Sequence, residues 1–413
     1  MKTNLINDFL ATPQGLEANN ILRSCVHCGF CNATCPTYQL LGDELDGPRG
    51  RIYLIKQTLE GKTPGRKTQL HLDRCLTCRN CESTCPSGVS YSHLLNIGRA
   101  VVNQQVKRPL QQKILHYLLR KIFLTNGVFS TLLTGAQLLR PIVPSSLKKS
   151  IPLKHKNIRF KKSLHDRKVL LVPGCVQSSL NPNIDNAAKI VFSKLAIECV
   201  EVPSAGCCGS LSHHLNAEEE AISIIKTNID SWWPLIQHKT IEAICMTASG
   251  CGVAIKEYEQ LLANDKDYAM KAKVVSALYK DPAEIVSAGS DADKLAAIKQ
   301  LITSRTHSAA NKSIAFHPPC TLQHGMKINN LIEPILLDCG YQIKPFKDKH
   351  LCCGSAGTYS ITQKKLSQQL LSNKLGNINE THPDIIATAN IGCQLHLQSG
   401  TSTPVKHWLE LLI

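Results

Sequence analysis

Cys25-Val26-His27-Cys28-Gly29-Phe30-Cys31-Asn32-Ala33-Thr34-Cys35-Pro36 is one of two stretches that decide the fold. The other, 50 residues later, is Cys75-Leu76-Thr77-Cys78-Arg79-Asn80-Cys81-Glu82-Ser83-Thr84-Cys85-Pro86. Each is a C-x2-C-x2-C-x3-C run closed by proline. Three thiolates on one tight loop reach three corners of an iron–sulfur cube, while the fourth points away and the proline turns the chain. Zinc sites built from four cysteines usually draw on two separated pairs, so zinc is the weaker reading of a run that occurs twice. His27 is read as a side chain facing the cluster or the surface, because a ligating histidine would leave a cysteine idle.

Working outward, the chain has 413 residues and 19 cysteines. That length leaves room for two or three domains. Residues Met1 to Asn20 carry Asp8 and Glu17 and lack the apolar core of a signal peptide, which argues against an extracellular disulfide scaffold. With 43% apolar residues, the composition excludes disorder and collagen-like structure. Reduced cysteines at fixed spacings are expected to be metal or redox ligands.

Residues 168–413 repeat themselves. A shift of 145 carries Cys175 onto Cys320, Cys207 onto Cys352, Cys208 onto Cys353 and Gly209 onto Gly354. A third element slips slightly: Cys251 lies 43 residues beyond Cys208, and Cys393 lies 40 beyond Cys353. Apolar stretches Val169–Val172, Ile241–Met246, Ile314–Phe316 and Ile385–Ala387 each run into a turn, with helical patterns at Asn186–Leu195, Ala217–Ile229 and Gly252–Leu262. Alternating strands and helices predict α/β layers with a mostly parallel sheet, whose strand ends share one edge. Cys175, Cys207, Cys208 and Cys251 are therefore expected to meet, as are Cys320, Cys352, Cys353 and Cys393. Such thiol sets suit a further iron–sulfur centre, a dithiol redox site, or a structural remnant shaping a pocket. Cys199, Cys245 and Cys339 repeat nowhere and read as small apolar residues.

Between the cysteine regions, Val101 to Lys168 holds 15 lysines and arginines against one acid, Asp166. Ile114 to Leu124 reads as a basic amphipathic helix, packed on the protein itself or a partner, or lying on an anionic membrane surface. The uncharged stretch Ile122–Leu139 is too short and too polar to read as a spanning helix. Nothing accompanies the charge that would favour nucleic acid. Gly42-Asp43-Glu44-Leu45-Asp46-Gly47-Pro48-Arg49-Gly50-Arg51-Ile52-Tyr53-Leu54-Ile55 reads as an acidic–basic turn entering a core helix, with cluster tuning by the arginines as the alternative. The expected layout is a multidomain chain: a helical two-cluster domain at 1–100, a basic linker at 101–167, cysteine-rich α/β lobes at 168–285 and 310–413, and a linker at 286–309 with a helix at Asp291–Leu301. No nucleophile triad, P-loop or dinucleotide fingerprint is present, so substrate chemistry is expected elsewhere.

The paired runs resemble bacterial two-cluster ferredoxins, in which the fourth cysteine serves the other cube. That resemblance assigns one [4Fe–4S] cluster to Cys25, Cys28, Cys31 and Cys85, and another to Cys75, Cys78, Cys81 and Cys35. The lobes resemble the cysteine-rich (CCG) domains of the heterodisulfide reductase B subunit, except that Ala248 and Asn390 stand where that pattern has a further cysteine. Together with the stretch from Gly42, the segments Leu351-Cys352-Cys353-Gly354-Ser355-Ala356-Gly357-Thr358-Tyr359, Thr247-Ala248-Ser249-Gly250-Cys251-Gly252 and Ala389-Asn390-Ile391-Gly392-Cys393-Gln394 are similar to glycolate oxidase iron–sulfur subunits. The likeness runs from about residue 17 to the end. It implies an electron-transfer subunit working with two flavin-binding glycolate oxidase subunits. Electrons would pass to membrane quinone or another respiratory acceptor from the cytoplasmic side of the inner membrane. Lactate or glycerol 3-phosphate donors, or a thiol–disulfide enzyme, are the alternatives.

Overall fold

The computed structural model describes residues 1–125, 127–144, 151–152, 157–161, 163–288, 295–299 and 312–413. These divide into two compact units. The first comprises Met1–His116, Gln323–Lys327 and His350–Lys374, and the second comprises Tyr117–Leu322, Ile328–Lys349 and Leu375–Ile413.

The first unit is helical. Its main helices are Pro13–Ser24, Pro48–Leu59, Arg66–Asp73 and Tyr91–Gln105. The first of them starts where Thr12 accepts the Gly15 N–H at 3.0 Å and proline occupies the opening turn. Apolar residues at helical spacing bury one face of three of them, Ala18, Ile21 and Leu22, then Ile52, Ile55 and Leu59, then Leu94, Leu95 and Val102, while Arg66–Asp73 adds Leu72. Cys25 and Cys81 share that core, so the cysteine loops are rooted in packed helices. Helices Pro48–Leu59 and Tyr91–Gln105 approach closely at Gly98, where a Cβ would lie 2.5 Å from Ile55 Cγ1.

Segments distant in sequence complete this unit. His324 Nε2 donates to the His350 carbonyl at 3.0 Å, which leaves its Nδ1 to accept from the Ser83 hydroxyl at 2.9 Å. Asn80 Nδ2 also donates to the His350 carbonyl, at 3.3 Å. The stretch 350–374, grouped by its sequence pattern with a lobe at 310–413, thus belongs to the first compact unit, which itself continues past residue 100 to His116.

The second unit contains two parallel sheets, in the order β2-β1-β3 and β5-β4-β6-β7. The strands are β1 (Arg167–Leu171), β2 (Ile197–Val200), β3 (Ala243–Cys245), β4 (Ser313–His317), β5 (Gln342–Ile343), β6 (Ile385–Thr388) and β7 (Val405–His407). Continuous apolar strands such as Val169-Leu170-Leu171 are fully buried, as helix-covered parallel strands must be. All four expected strands are present, and β2, β5 and β7 are additional. Helices occupy Asn183–Lys194 and Glu218–Gln237, while the pattern at 252–262 resolves into Ser249–Lys256 and Tyr258–Leu261. The expected helix at 291–301 falls mostly outside the described residues, although 295–299 are helical.

The two repeats meet at their third cysteine-bearing turns. Ser249 N–H donates to the Ala389 carbonyl at 3.4 Å, the Ser249 and Thr321 hydroxyls lie 2.8 Å apart, and Ala248 packs with Leu180, Ile184 and Ile391. His407 Nδ1 accepts the Leu409 N–H, so its Nε2–H donates to the Thr247 carbonyl at 3.0 Å. The basic segment forms helices Leu110–Leu124 and Val128–Leu139, bent by 95°. Phe129 and Leu133 pack against the first repeat and Arg120 pairs with Glu220 at 2.6 Å, while Ile114, Leu118, Leu132 and Leu138 are exposed.

Gly98→Ala is expected to destabilise the protein by about 1–3 kcal/mol through overpacking, outweighing the ~1 kcal/mol that alanine gains in a helix. Chemical denaturation checks this, and Ile55→Val in the Gly98→Ala background should recover part of the loss.

Candidate iron–sulfur centres

The two cysteine runs adopt one backbone conformation. His27 and Thr77 have positive φ (57° and 52°), and so do the residues at the next matched position, Gly29 and Arg79 (86° and 60°). These left-handed residues curl each loop so that successive thiols share one side. Short helices Phe30–Ala33 and Asn80–Thr84 then carry Cys35 and Cys85 away.

Cys85 lines the same cavity as Cys25, Cys28 and Cys31, a cleft that also touches His27, Gly29, Arg49, Ile52 and Tyr91 and is bordered on the side of the other run by Cys81. Burial and then the neighbouring Cys25 and Cys85 push the Cys31 thiol up to about 11. The other thiols form a second set: burial, followed by Cys78, Cys75 and Cys35, pushes Cys81 well above the ordinary range. Each run therefore sends its fourth cysteine to the other run's set. Clustered thiols raise one another's pKa, because adjacent thiolates repel unless a positive centre lies among them. Both donor sets, all sulfur and without acids, fit a cationic iron–sulfur core, which takes its cysteines as thiolates. The outer set includes exposed Cys28, whereas in the inner set Cys35, Cys78 and Cys81 are buried.

His27 lines the outer cavity, and burial followed by Arg49 lowers its pKa. Glu44 orders this edge by accepting from Arg49 Nε at 2.6 Å and from Asn32 Nδ2 at 2.8 Å. The stretch from Gly42 does more than enter a helix. Arg51 is fully buried, 3.4 Å from Asp46, and it donates to the His71 carbonyl at 2.7 Å and to Thr37 Oγ1 at 3.2 Å. Asp46 also takes Arg74 at 2.8 Å, and His71 Nδ1 lies 3.1 Å away without hydrogen bonding to it. A buried carboxylate is tolerated only with such compensation.

In the first repeat, Cys175, Cys207, Cys208 and Cys251 come together. The Cys207 thiol is shifted downward, first by Cys175 and Cys208 beside it and then by the Gly209 and Leu211 N–H groups, against the effect of burial. Its partners Cys175 and Cys208 are shifted upward, first by Cys207. Gly209 supplies this geometry with φ +85°. Asn228 and Tyr258, unremarked in the sequence pattern, clamp the turn. Asn228 Nδ2 donates to the Cys207 carbonyl at 2.7 Å, and Tyr258 donates to the Cys208 carbonyl at 2.9 Å. Their signal, a helical residue 20 positions on and a later aromatic, was too generic to single out.

Of the second set, Cys320 and Cys393 lie in the second compact unit, and Cys352 and Cys353 lie in the first. Cys352 Sγ accepts the Gly354 N–H at 3.4 Å, and Gly354 (φ +92°) has no room for a Cβ, which would meet the Ser367 carbonyl at 2.6 Å. Asn390 donates to Cys393 Sγ at 3.7 Å, and Ala248 is buried in the repeat contact. Cys245 is fully buried in β3, while Cys199 and Cys339 are half-buried.

This arrangement defines an iron–sulfur protein with cysteine-rich repeats. Residues 21–89 match the 4Fe-4S dicluster domain family, and residues 169–256 and 314–398 match the Cysteine-rich domain family. The chain is 48% identical to the glycolate oxidase iron-sulfur subunit of Escherichia coli (strain K12), over 100% of this chain and 98% of that relative. It is 28% identical to the probable glycolate oxidase iron-sulfur subunit of Bacillus subtilis (strain 168), over 92% and 89%. A Lactate utilization protein A from Bacillus pumilus (strain SAFR-032) is 24% identical over 56% of this chain and 90% of its own length. The chain belongs to the family of glycolate oxidase iron–sulfur subunits. It is an iron–sulfur electron-transfer subunit of an oxidoreductase.

Two outcomes are expected. Cys85→Ala should remove the same electron paramagnetic resonance signal as Cys28→Ala, and Cys35→Ala the same signal as Cys78→Ala, each with loss of half the dicluster iron. Asp185, buried and accepting from Thr247 at 2.6 Å and from Gln177 at 2.7 Å, is pushed up to about 6 chiefly by burial. A raised carboxyl stabilises the fold at low pH and loses that contribution as pH rises through about 6. Asp185→Asn should therefore raise stability near pH 7.5 by up to about 3 kcal/mol, with the gain fading towards pH 4. Paired melting curves across that range check it.

Proposed function

We propose that this chain carries electrons away from glycolate oxidation in a complex with two flavin-binding subunits. Those partners would oxidise glycolate to glyoxylate, releasing two electrons and two protons. The electrons would reach membrane quinone or another respiratory acceptor through this subunit, which would not itself act on substrate. The observation that carries the donor assignment is the 48% identity across the whole chain to a glycolate oxidase subunit.

In this reading Cys25, Cys28, Cys31 and Cys85 hold one [4Fe–4S] cluster, and Cys35, Cys75, Cys78 and Cys81 hold the other. Such clusters supply one-electron transfer, and a flavin's two electrons would leave singly. Exposed Cys28 makes the outer set the face a partner can approach. Cys175, Cys207, Cys208 and Cys251 form a further redox-capable site, fitted to an additional iron–sulfur centre by four converging sulfurs.

The chain is proposed to sit peripherally on the cytoplasmic face of the inner membrane. No single helix among the described residues is long and apolar enough to cross a membrane. The exposed Leu110, Ile114, Leu118, Leu132 and Leu138, beside Lys113 and Lys121, suit docking on an anionic lipid surface.

Glycolate-dependent quinone or dye reduction, measured in membranes from cells lacking this chain, tests the donor. Glycolate activity alone should disappear and return with the intact chain but not with Cys78→Ala. Loss of D-lactate or glycerol 3-phosphate oxidation instead, with glycolate oxidation untouched, would overturn the donor assignment. The chain's distribution between membrane and soluble fractions of the complemented cells reads the docking.

A further inference from the structure

The two thiol sets of the first unit sit in different surroundings. The outer cavity reaches the surface at Cys28. The inner set is ringed by hydrogen-bond donors. Tyr91 donates its hydroxyl to Cys75 Sγ at 3.6 Å, and the Thr77 N–H reaches the same sulfur at 3.5 Å. Near Cys35 the positive charge is the buried Arg51 guanidinium, which donates to Thr37 Oγ1 at 3.2 Å; that oxygen lies 3.3 Å from Cys35 Sγ and gives its own proton to the Asp46 carbonyl at 2.7 Å. Reduction adds negative charge to a cluster, so burial lowers its potential while donors and nearby cations raise it. The inner set has the burial, and it also has the donors.

Tyr359 belongs to the same unit, five residues beyond Gly354 and only 6% exposed. Among the described residues its hydroxyl has no hydrogen-bond partner. A buried phenol left in that state is costly, and native structures rarely contain one. Burial and then Cys75 push its pKa upward, with Arg51, Cys352 and Asp46 also acting on it. Arginine accepts no hydrogen bond, and Asp46 already takes Arg51 and Arg74. Of the groups whose charges act on this hydroxyl, the remaining acceptors are the sulfurs of Cys75 and Cys352. The position 145 residues earlier is His214, so this phenol is peculiar to the second repeat.

We propose that the Tyr359 hydroxyl donates a hydrogen bond to the iron–sulfur cluster held by Cys35, Cys75, Cys78 and Cys81, and so raises that cluster's potential. Tyr359 is a positioning residue for the electron, one that brings the second repeat's cysteine-pair turn into control of the inner cluster. The assignment rests on the reading that these four cysteines hold a cluster.

The test is a redox titration of the purified protein followed by electron paramagnetic resonance, comparing the intact chain with Tyr359→Phe. Cys28→Ser, which alters the outer cluster's own signal, identifies the inner one. Tyr359→Phe should retain full iron and both signals while lowering only the inner midpoint. At a fixed potential its oxidised-to-reduced ratio should rise about three- to tenfold, equivalent to about 30–60 mV for one electron. Tyr91→Phe, which removes a neighbouring donor, should move the same midpoint in the same direction. An inner midpoint unchanged in Tyr359→Phe, or equal shifts of both midpoints, overturns the proposal while leaving the cluster assignment intact. Absence of iron and of both signals from the intact chain would instead remove the cluster reading itself.

Discussion

The two cysteine loops of the first unit are tied together by the crossing of their fourth cysteines. Cys85 must reach the pocket of Cys25, Cys28 and Cys31, while Cys35 must reach that of Cys75, Cys78 and Cys81. Neither loop can complete its donor set alone, so the two must be held at a fixed separation. Helices Pro48–Leu59 and Tyr91–Gln105 do this, and the bare Gly98 lets them approach. Sulfurs placed this way would repel as thiolates, and the upward shifts of Cys31 and Cys81 favour the neutral thiol until a cationic centre lies among them. Taking up a cationic core is therefore coupled to release of the thiol protons.

Much of this was legible in the sequence because cysteine spacing is a short-range geometric signal. The C-x2-C-x2-C-x3-C-P runs needed no knowledge of tertiary structure, and the matched positive φ at His27 and Thr77 shows why the spacing is kept. The duplication was legible for the same reason, with Cys175 and Cys320 as its markers. Four strands were evident as apolar stretches ending in turns. Strands β2, β5 and β7 were harder to see, because they have only four, two and three residues. Edge positions of this kind carry little periodicity to read.

Long-range assembly was not legible. Nothing in the repeat pattern indicates that His350–Lys374 is built into the first unit, because the bonds responsible are carbonyl and histidine contacts with Asn80 and Ser83. Arg51 is a similar case. Its sequence context reads as an ordinary charged turn, and only tertiary packing reveals a fully buried guanidinium shared among Asp46, Thr37 and the His71 carbonyl. Asn228 and Tyr258 likewise act on backbone carbonyls, a role that leaves no residue-type signature.

The exposure of Cys28 has a further consequence. A carrier that trades electrons with a partner needs one edge of a cluster near the surface, and that edge is open to dioxygen and peroxide as well. Oxidative damage would therefore begin at the outer loop and spare the sheltered thiols of Cys35, Cys78 and Cys81. A partner subunit seated over Cys28 would act as a shield as well as an electron donor, so the isolated chain should be the air-sensitive form and the assembled complex the durable one.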